Sequence, residues 1–189
     1  ITSMENTRNS RRVHVLLERS HRPSGAGTIQ HAQRVRFHHG SANISARVLC
    51  FENRALNQGE EAIADIRLDA PGFTLAGDRF VLRDWSKRFT LAGGTILDPT
   101  PAPRSYRTKK QETFLNTLAS KPLSAELYLE SILHRDLAIP SIDALSQSSF
   151  PKEETKLALD KCEHIMLNGW LLNSEWWKEI SDIAAARVE

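Results

Sequence analysis

The hydrophobic period of this amino-acid sequence changes once, near Asp98, and no single class of secondary structure accommodates both sides of the change. From Val13 to Asp98 the apolar residues come in short runs with β-branched members, broken by turn formers, and no stretch sustains a helical period. Candidate strands are Val13 to Glu18, Arg34 to His38, Ile44 to Phe51, Glu61 to Leu68, Arg79 to Arg83 and Gly94 to Leu97. Six strands at this spacing fit a closed barrel or a sandwich. In the fourth, Ala62, Ala64, Ile66 and Leu68 share one face while Glu61, Asp65, Arg67 and Asp69 fall on the other, which predicts one wet face. In the fifth, Phe80 and Leu82 alternate inward against Arg79, Val81 and Arg83.

Beyond Asp98, Pro99, Pro101 and Pro103 supply a stiff connection, and helical periods follow. Thr108 and Gln111 stand at capping-box spacing before Phe114, Leu115 and Leu118. Ser124 is a second N-cap, bracketed by Leu123 and Tyr128 as a hydrophobic staple, and Leu127, Ile132 and Leu133 continue that helix. Pro140 suits the first turn of a short helix containing Ile142 and Leu145, and Pro151 the start of another whose face is Thr155, Leu159, Cys162 and Met166. Asn168-Gly169 fits two readings, the stop of that helix or the turn of a hairpin between Ile165 to Leu167 and Trp170 to Leu172; the helix stop is preferred. Trp170 to Leu172 is a strand in either case. Ser174 then caps a last helix lined by Trp177, Ile180, Ile183, Ala184 and Arg187, with Trp170, Trp176 and Trp177 expected in core and interdomain packing. The order resembles a winged helix-turn-helix unit. The domains read as a flexible segment at 1–12, a barrel at 13–102 and a winged helix at 103–189, and a chain that starts without Met and stops inside a periodic helix reads as a piece of a longer one.

Charge and motif content narrow the function. Up to Asp98 there are 14 Lys and Arg against 10 Asp and Glu, nearly all the basic residues being Arg, whereas the remainder is slightly acidic. A guanidinium-rich surface suits phosphate, although solvated strand faces carry the same composition. Cys50 and Cys162 have neither the number nor the spacing of a disulfide framework or zinc cluster and read as buried small apolar residues. Adjacent His38 and His39 point to opposite strand faces and chelate poorly, while His14, His21 and His31 read as exposed. Gly25-Ala-Gly27 and Gly93-Gly94 lack the rest of any nucleotide-binding loop, and no catalytic constellation is recognisable, so no catalytic, cofactor or metal residue is expected. No apolar run reaches the roughly 18 residues of a membrane helix, and no membrane partner is expected.

Several pieces carry a resemblance: Leu68-Asp-Ala-Pro71, Ala76-Gly-Asp-Arg-Phe-Val-Leu-Arg83, Thr90-Leu-Ala-Gly-Gly-Thr-Ile-Leu-Asp-Pro99, and upstream Val35-Arg-Phe-His-His-Gly-Ser-Ala42, Ala46-Arg-Val48 and Leu56-Asn-Gln-Gly59. In this order they resemble the third domain of selenocysteine-specific elongation factors, relatives of elongation factor Tu, with Ala92 in place of a glycine and Ser41 in place of the usual threonine. The likeness covers about residues 12 to 100, and the remainder looks like the first of the tandem winged-helix domains that follow. It implies a multidomain chain in which a small six-stranded antiparallel β-barrel of translation-factor domain III type precedes a mainly α winged-helix domain. It also implies a tRNA-facing hairpin in which Lys87 and Arg88, helped by Arg83 and Arg36, meet phosphates. The competing reading for Arg83 and Arg79 is pairing with the neighbouring Asp84 and Asp78. Partners implied are selenocysteyl-tRNA, the ribosome and, through further domains, a selenoprotein mRNA hairpin, with GTP and magnesium held by a separate GTPase domain and the protein monomeric and cytoplasmic. The alternative is a winged-helix DNA-binding transcriptional regulator with an unrelated β-domain, which would need a basic recognition helix; Lys152 to Leu167 instead balances Lys152, Lys156 and Lys161 against Glu153, Glu154, Asp160 and Glu163.

Overall fold

The computed structural model describes residues 8–19, 27–52, 54–86, 88–102 and 108–187. Six strands form the first half: β1 (Ser10–Glu18), β2 (Arg34–His39), β3 (Ala42–Cys50), β4 (Glu61–Gly72), β5 (Arg79–Arg83) and β6 (Thr90–Asp98). They close into an antiparallel barrel in the order β1-β4-β3-β2-β5-β6, with β1 pairing back onto β6. Closure leaves no strand edge unpaired, which removes the template for edge-to-edge aggregation. Ser10 to Arg12, expected in a flexible N-terminal segment, are the first residues of β1.

Period-two alternation fills the interior. Val13, Val15, Leu17, Val35, Phe37, Val48, Ile66, Leu82 and Ile96 are buried inward, as are Ala64, Leu68 and Phe80. Phe37 and Phe80 stack with centroids 5.3 Å apart at the barrel centre. The wet face expected of β4 is broken at one point. Asp65 is buried because the Arg12 guanidinium lies over it with Nη2 to Oδ2 at 2.5 Å, and Arg67 Nε approaches the same oxygen at 3.3 Å.

The second half comprises α1 (Lys109–Ala119), α2 (Ala125–Asp136), β7 (Ala138–Pro140), α3 (Lys152–Lys161), β8 (His164–Leu167), β9 (Trp170–Asn173) and α4 (Ser174–Ala185). Thr108 Oγ1 accepts from Gln111 N and Ser124 Oγ from Leu127 N, so both expected caps form. A three-stranded sheet, β7-β9-β8, completes the winged-helix topology. Among the described residues no helix is long and apolar enough to cross a membrane.

Four local expectations are corrected. α3 ends at Lys161, and Asn168-Gly169 turns a hairpin, with φ of +48° and +82° matching the twist of β8 and β9. Met166 is therefore 63% exposed on the wing instead of lining a helix. Pro140 starts no helix: it ends β7 on the sheet edge opposite Trp170, where its missing N–H costs nothing, and residues 141–147 are turns. The last helix is capped by Asn173, whose side chain accepts from Trp176 N, with Ser174 as its first residue. Its apolar stripe buries nothing, since Ile180 and Ile183 are exposed, as is Trp170 on β9; Trp176 and Trp177 are half-buried.

Helices and barrel share a core. Phe114, Leu115, Leu118 and Tyr128 pack with Ala76 and Leu97 of the barrel side, against half-buried Leu16, Phe51 and Ile63. Beside this apolar contact sits a buried polar cluster. Gln111, instead of reaching back to its cap, points its amide inward, where Nε2 donates to Asp98 Oδ2 at 2.8 Å and to His14 Nδ1 at 3.1 Å. Arg135 Nη1 donates to Asp98 Oδ2 at 2.9 Å and to Gln111 Oε1 at 3.2 Å, and its guanidinium lies 4.2 Å from the Phe114 ring centre. His14, expected on the surface, is fully buried because α1 covers the outer face of β1.

Burial pushes the His14 pKa below its ordinary 6.5, against the opposing fields of Asp98 and Asp65. The unfolded chain therefore takes up this proton first as pH falls. The site's contribution to stability is complete above about pH 6.5 and is lost as pH drops toward the folded value, at up to about 1.4 kcal/mol per pH unit. Urea melts across this range should show a His14→Leu variant with a shallower acid-side fall than the parent; equal slopes would refute the assignment.

Candidate nucleic-acid interface

The register of the barrel gathers its arginines on one outer face. Arg12 of β1 lies opposite Arg67 of β4, Arg67 opposite Arg47 of β3, and Arg47 opposite Arg34 of β2. One strand further on, Arg36 of β2 lies opposite Arg83 of β5. Each guanidinium projects outward because its strand neighbours Val13, Ile66, Val48 and Val35 fill the interior. With strands about 4.8 Å apart, the row from Arg12 to Arg34 spans about 14 Å. Like charges directly opposite one another destabilise a sheet. Asp65 offsets this at Arg12 and Arg67, whereas Arg34 and Arg47 have no carboxylate partner among the described residues.

The row runs into the loop after β5. Trp85, 54% exposed, lies under two guanidinium groups, with Arg34 Cζ 5.4 Å and Arg36 Cζ 5.8 Å from its ring centre. Asp84 holds the loop, accepting from Ser86 Oγ, from Phe89 N at 2.6 Å and from Ser86 N at 3.0 Å, and these bonds, the Ser86 hydroxyl's first among them, keep its carboxyl below the usual range. Asp84 thus serves its own loop and does not pair with Arg83. Arg79 binds Glu18 through both carboxylate oxygens at 3.0 Å instead of Asp78, which bonds His39 at 2.7 Å.

Of the residues expected to meet phosphate, Arg36 and Arg83 are brought together across β2 and β5, and Arg88 is exposed at the loop. Lys87 lies outside the described residues. Arg36 is partly committed, donating to Asn43 Oδ1 at 2.8 Å and Ser45 Oγ at 2.6 Å, while Arg83 is half-buried with its Nε unpaired among the described residues. The unexpected members are Arg34, Arg47, Arg67 and Trp85. Alternation alone places each arginine outward, but only strand register lines them up.

The comparisons agree with this architecture. Residues 10–103 match a family model described as "Selenocysteine-specific elongation factor, beta-barrel domain". A selenocysteine-specific elongation factor of Desulfomicrobium baculatum is 34% identical over 97 residues, 51% of this chain and 15% of that protein. Another, of Haemophilus influenzae, is 22% identical over 155 residues, 80% of this chain and 24% of its own length. The chain therefore spans a quarter or less of these relatives. A solved structure titled as a bacterial selenocysteine-specific elongation factor EF-Sec superposes with a TM-score of 0.58 over 92% of this chain and 25% of that one, at 15% identity, which supports the fold. The barrel's sequence and the order of barrel and helices point the same way, and the chain belongs to the selenocysteine-specific elongation factor family, carrying that family's β-barrel domain at residues 10–103.

Proposed function

We propose that this chain is an RNA-facing part of a GTP-dependent elongation factor that delivers selenocysteyl-tRNA to the ribosome, its barrel holding tRNA backbone. The observation that carries this reading is the arginine face continuing into the Trp85 to Arg88 loop. Arginines spaced by strand register neutralise phosphates without reading bases, so the surface grips RNA irrespective of sequence. The nucleotide chemistry belongs to a separate GTPase domain with its magnesium ion, and this part acts through binding alone. The regulator reading is disfavoured by the balanced charge of α3, whose Lys152, Lys156 and Lys161 meet Glu153, Glu154 and Asp160.

In the complete factor with selenocysteyl-tRNA, replacing Lys87 and Arg88 by Ala should remove up to about two phosphate contacts and lower the slope of log affinity against log salt by up to about 1.8. A comparison substitution on the far side of the barrel should leave the slope alone. If the loop variant keeps wild-type affinity and slope while the comparison variant loses both, this face is not the tRNA-binding face.

A further inference from the structure

A second positively charged surface lies on the helical half. α1 and α2 enclose a groove of about 560 Å3 between Lys109, Lys110 and Lys121 on one side and His134 and Arg135 on the other, with Phe114 and Leu127 among its walls. The three lysines and His134 are exposed, and the lysines have no ion pair among the described residues. Glu130 is the one acidic residue of the lining among the described residues. Ser131 also lines the groove. It is 7% exposed, and its hydroxyl has no hydrogen-bond partner among the described residues. Nothing in the barrel reading uses these residues.

We infer that this groove is a second RNA-binding site, taking a phosphodiester backbone; the inference deepens the RNA-facing reading above and rests on it. The charges of α3 balance, whereas the lining of this groove sets Lys109, Lys110 and Lys121 against Glu130 alone, a surplus that suits a polyanion. Lysines on flexible stems act as point charges and follow a backbone without demanding sequence. An acidic amphipathic segment fits less well, because Phe114, the aromatic residue of the lining, is buried and offers it no ring to dock on. Here the Arg135 guanidinium already covers the Phe114 ring at 4.2 Å. The same Arg135 is bonded to Asp98 at the end of β6, so the groove is fixed relative to the barrel.

The test uses the whole 189-residue chain and a fluorescently labelled RNA hairpin of mixed sequence, titrated over a range of salt. Three proteins are compared: the parent, K109Q/K110Q/K121Q, and R34Q/R47Q. The lysine variant should melt like the parent, because all three side chains are exposed, yet lose affinity and lower the salt slope by about two. A lysine variant that binds as the parent does, beside an arginine variant that binds more weakly, overturns the groove and leaves the barrel reading standing. If neither variant changes binding, or the parent shows no salt-dependent binding, both readings fall. Binding of polyglutamate that survives the salt that releases RNA would overturn RNA as the occupant in favour of an acidic protein segment.

Discussion

Replacing Arg135 by Ala is expected to destabilise the protein by about 3 to 5 kcal/mol, the range for removing one partner of a buried ion pair. Asp98 is 3% exposed, and Arg135 is the cation that bonds it. Without the guanidinium the carboxylate keeps, among the described residues, Gln111 Nε2 at 2.8 Å and Thr100 N at 3.3 Å as donors, and it must either stay charged in a poorly solvating site or take up a proton. Phe114 also loses the cation over its face. The paired change D98N/R135M should recover much of the loss, because it removes both charges and keeps the volume filled. Urea denaturation of the parent, both single variants and the double variant gives the coupling directly. A loss below about 1 kcal/mol in R135A would mean that water reaches Asp98 and that the junction is wet.

Gly94→Ala is expected to be comparably severe, for a steric reason. A Cβ at this position would lie 2.0 Å from the Leu16 carbonyl oxygen and 3.0 Å from Phe80 Cε1. The oxygen belongs to β1 across the seam that closes the barrel, so relief requires β1 and β6 to separate. A destabilisation of about 3 kcal/mol, or failure to fold, follows from such overpacking. The adjacent Gly93 is the control. Its Cβ would meet Phe80 O at 3.3 Å, so Gly93→Ala should be milder. Thermal melts that rank the two variants in reverse order would contradict the closed seam.

The sequence carried the barrel well because strand alternation and turn residues are local signals. Phe80 and Leu82 face inward, and Cys50 and Cys162 are buried, all as expected. It carried the junction poorly. His14 sits on the outward face of β1 and looks exposed by alternation, but α1, nearly a hundred residues later, covers it. Gln111 shows the same limit: its spacing from Thr108 marks the cap, while the side chain's destination depends on where Asp98 and His14 lie in space. Asn168-Gly169 satisfied two local rules at once, and pairing with β7 on the far side of β9 accompanies the hairpin outcome. At the candidate interface, Arg36, Arg83 and Arg88 were named from the resemblance, whereas the row of Arg67, Arg47 and Arg34 exists only through cross-strand register.

The position of β1 between β4 and β6 also sets the order in which the barrel can form. Leaving the ribosome before its partners, β1 waits for residues 61–72 on one side and 90–98 on the other, so its ladder bonds are among the most distant along the chain. Loops of that length make late, slow contacts. The segment β2 to β3, joined by a tight turn at residues 40–41, is free to pair early. Until synthesis reaches Asp98, Val13, Val15 and Leu17 have no complete cavity to enter, and Arg11 and Arg12 beside them act as gatekeepers that keep the waiting strand hydrated and unattractive to other nascent chains.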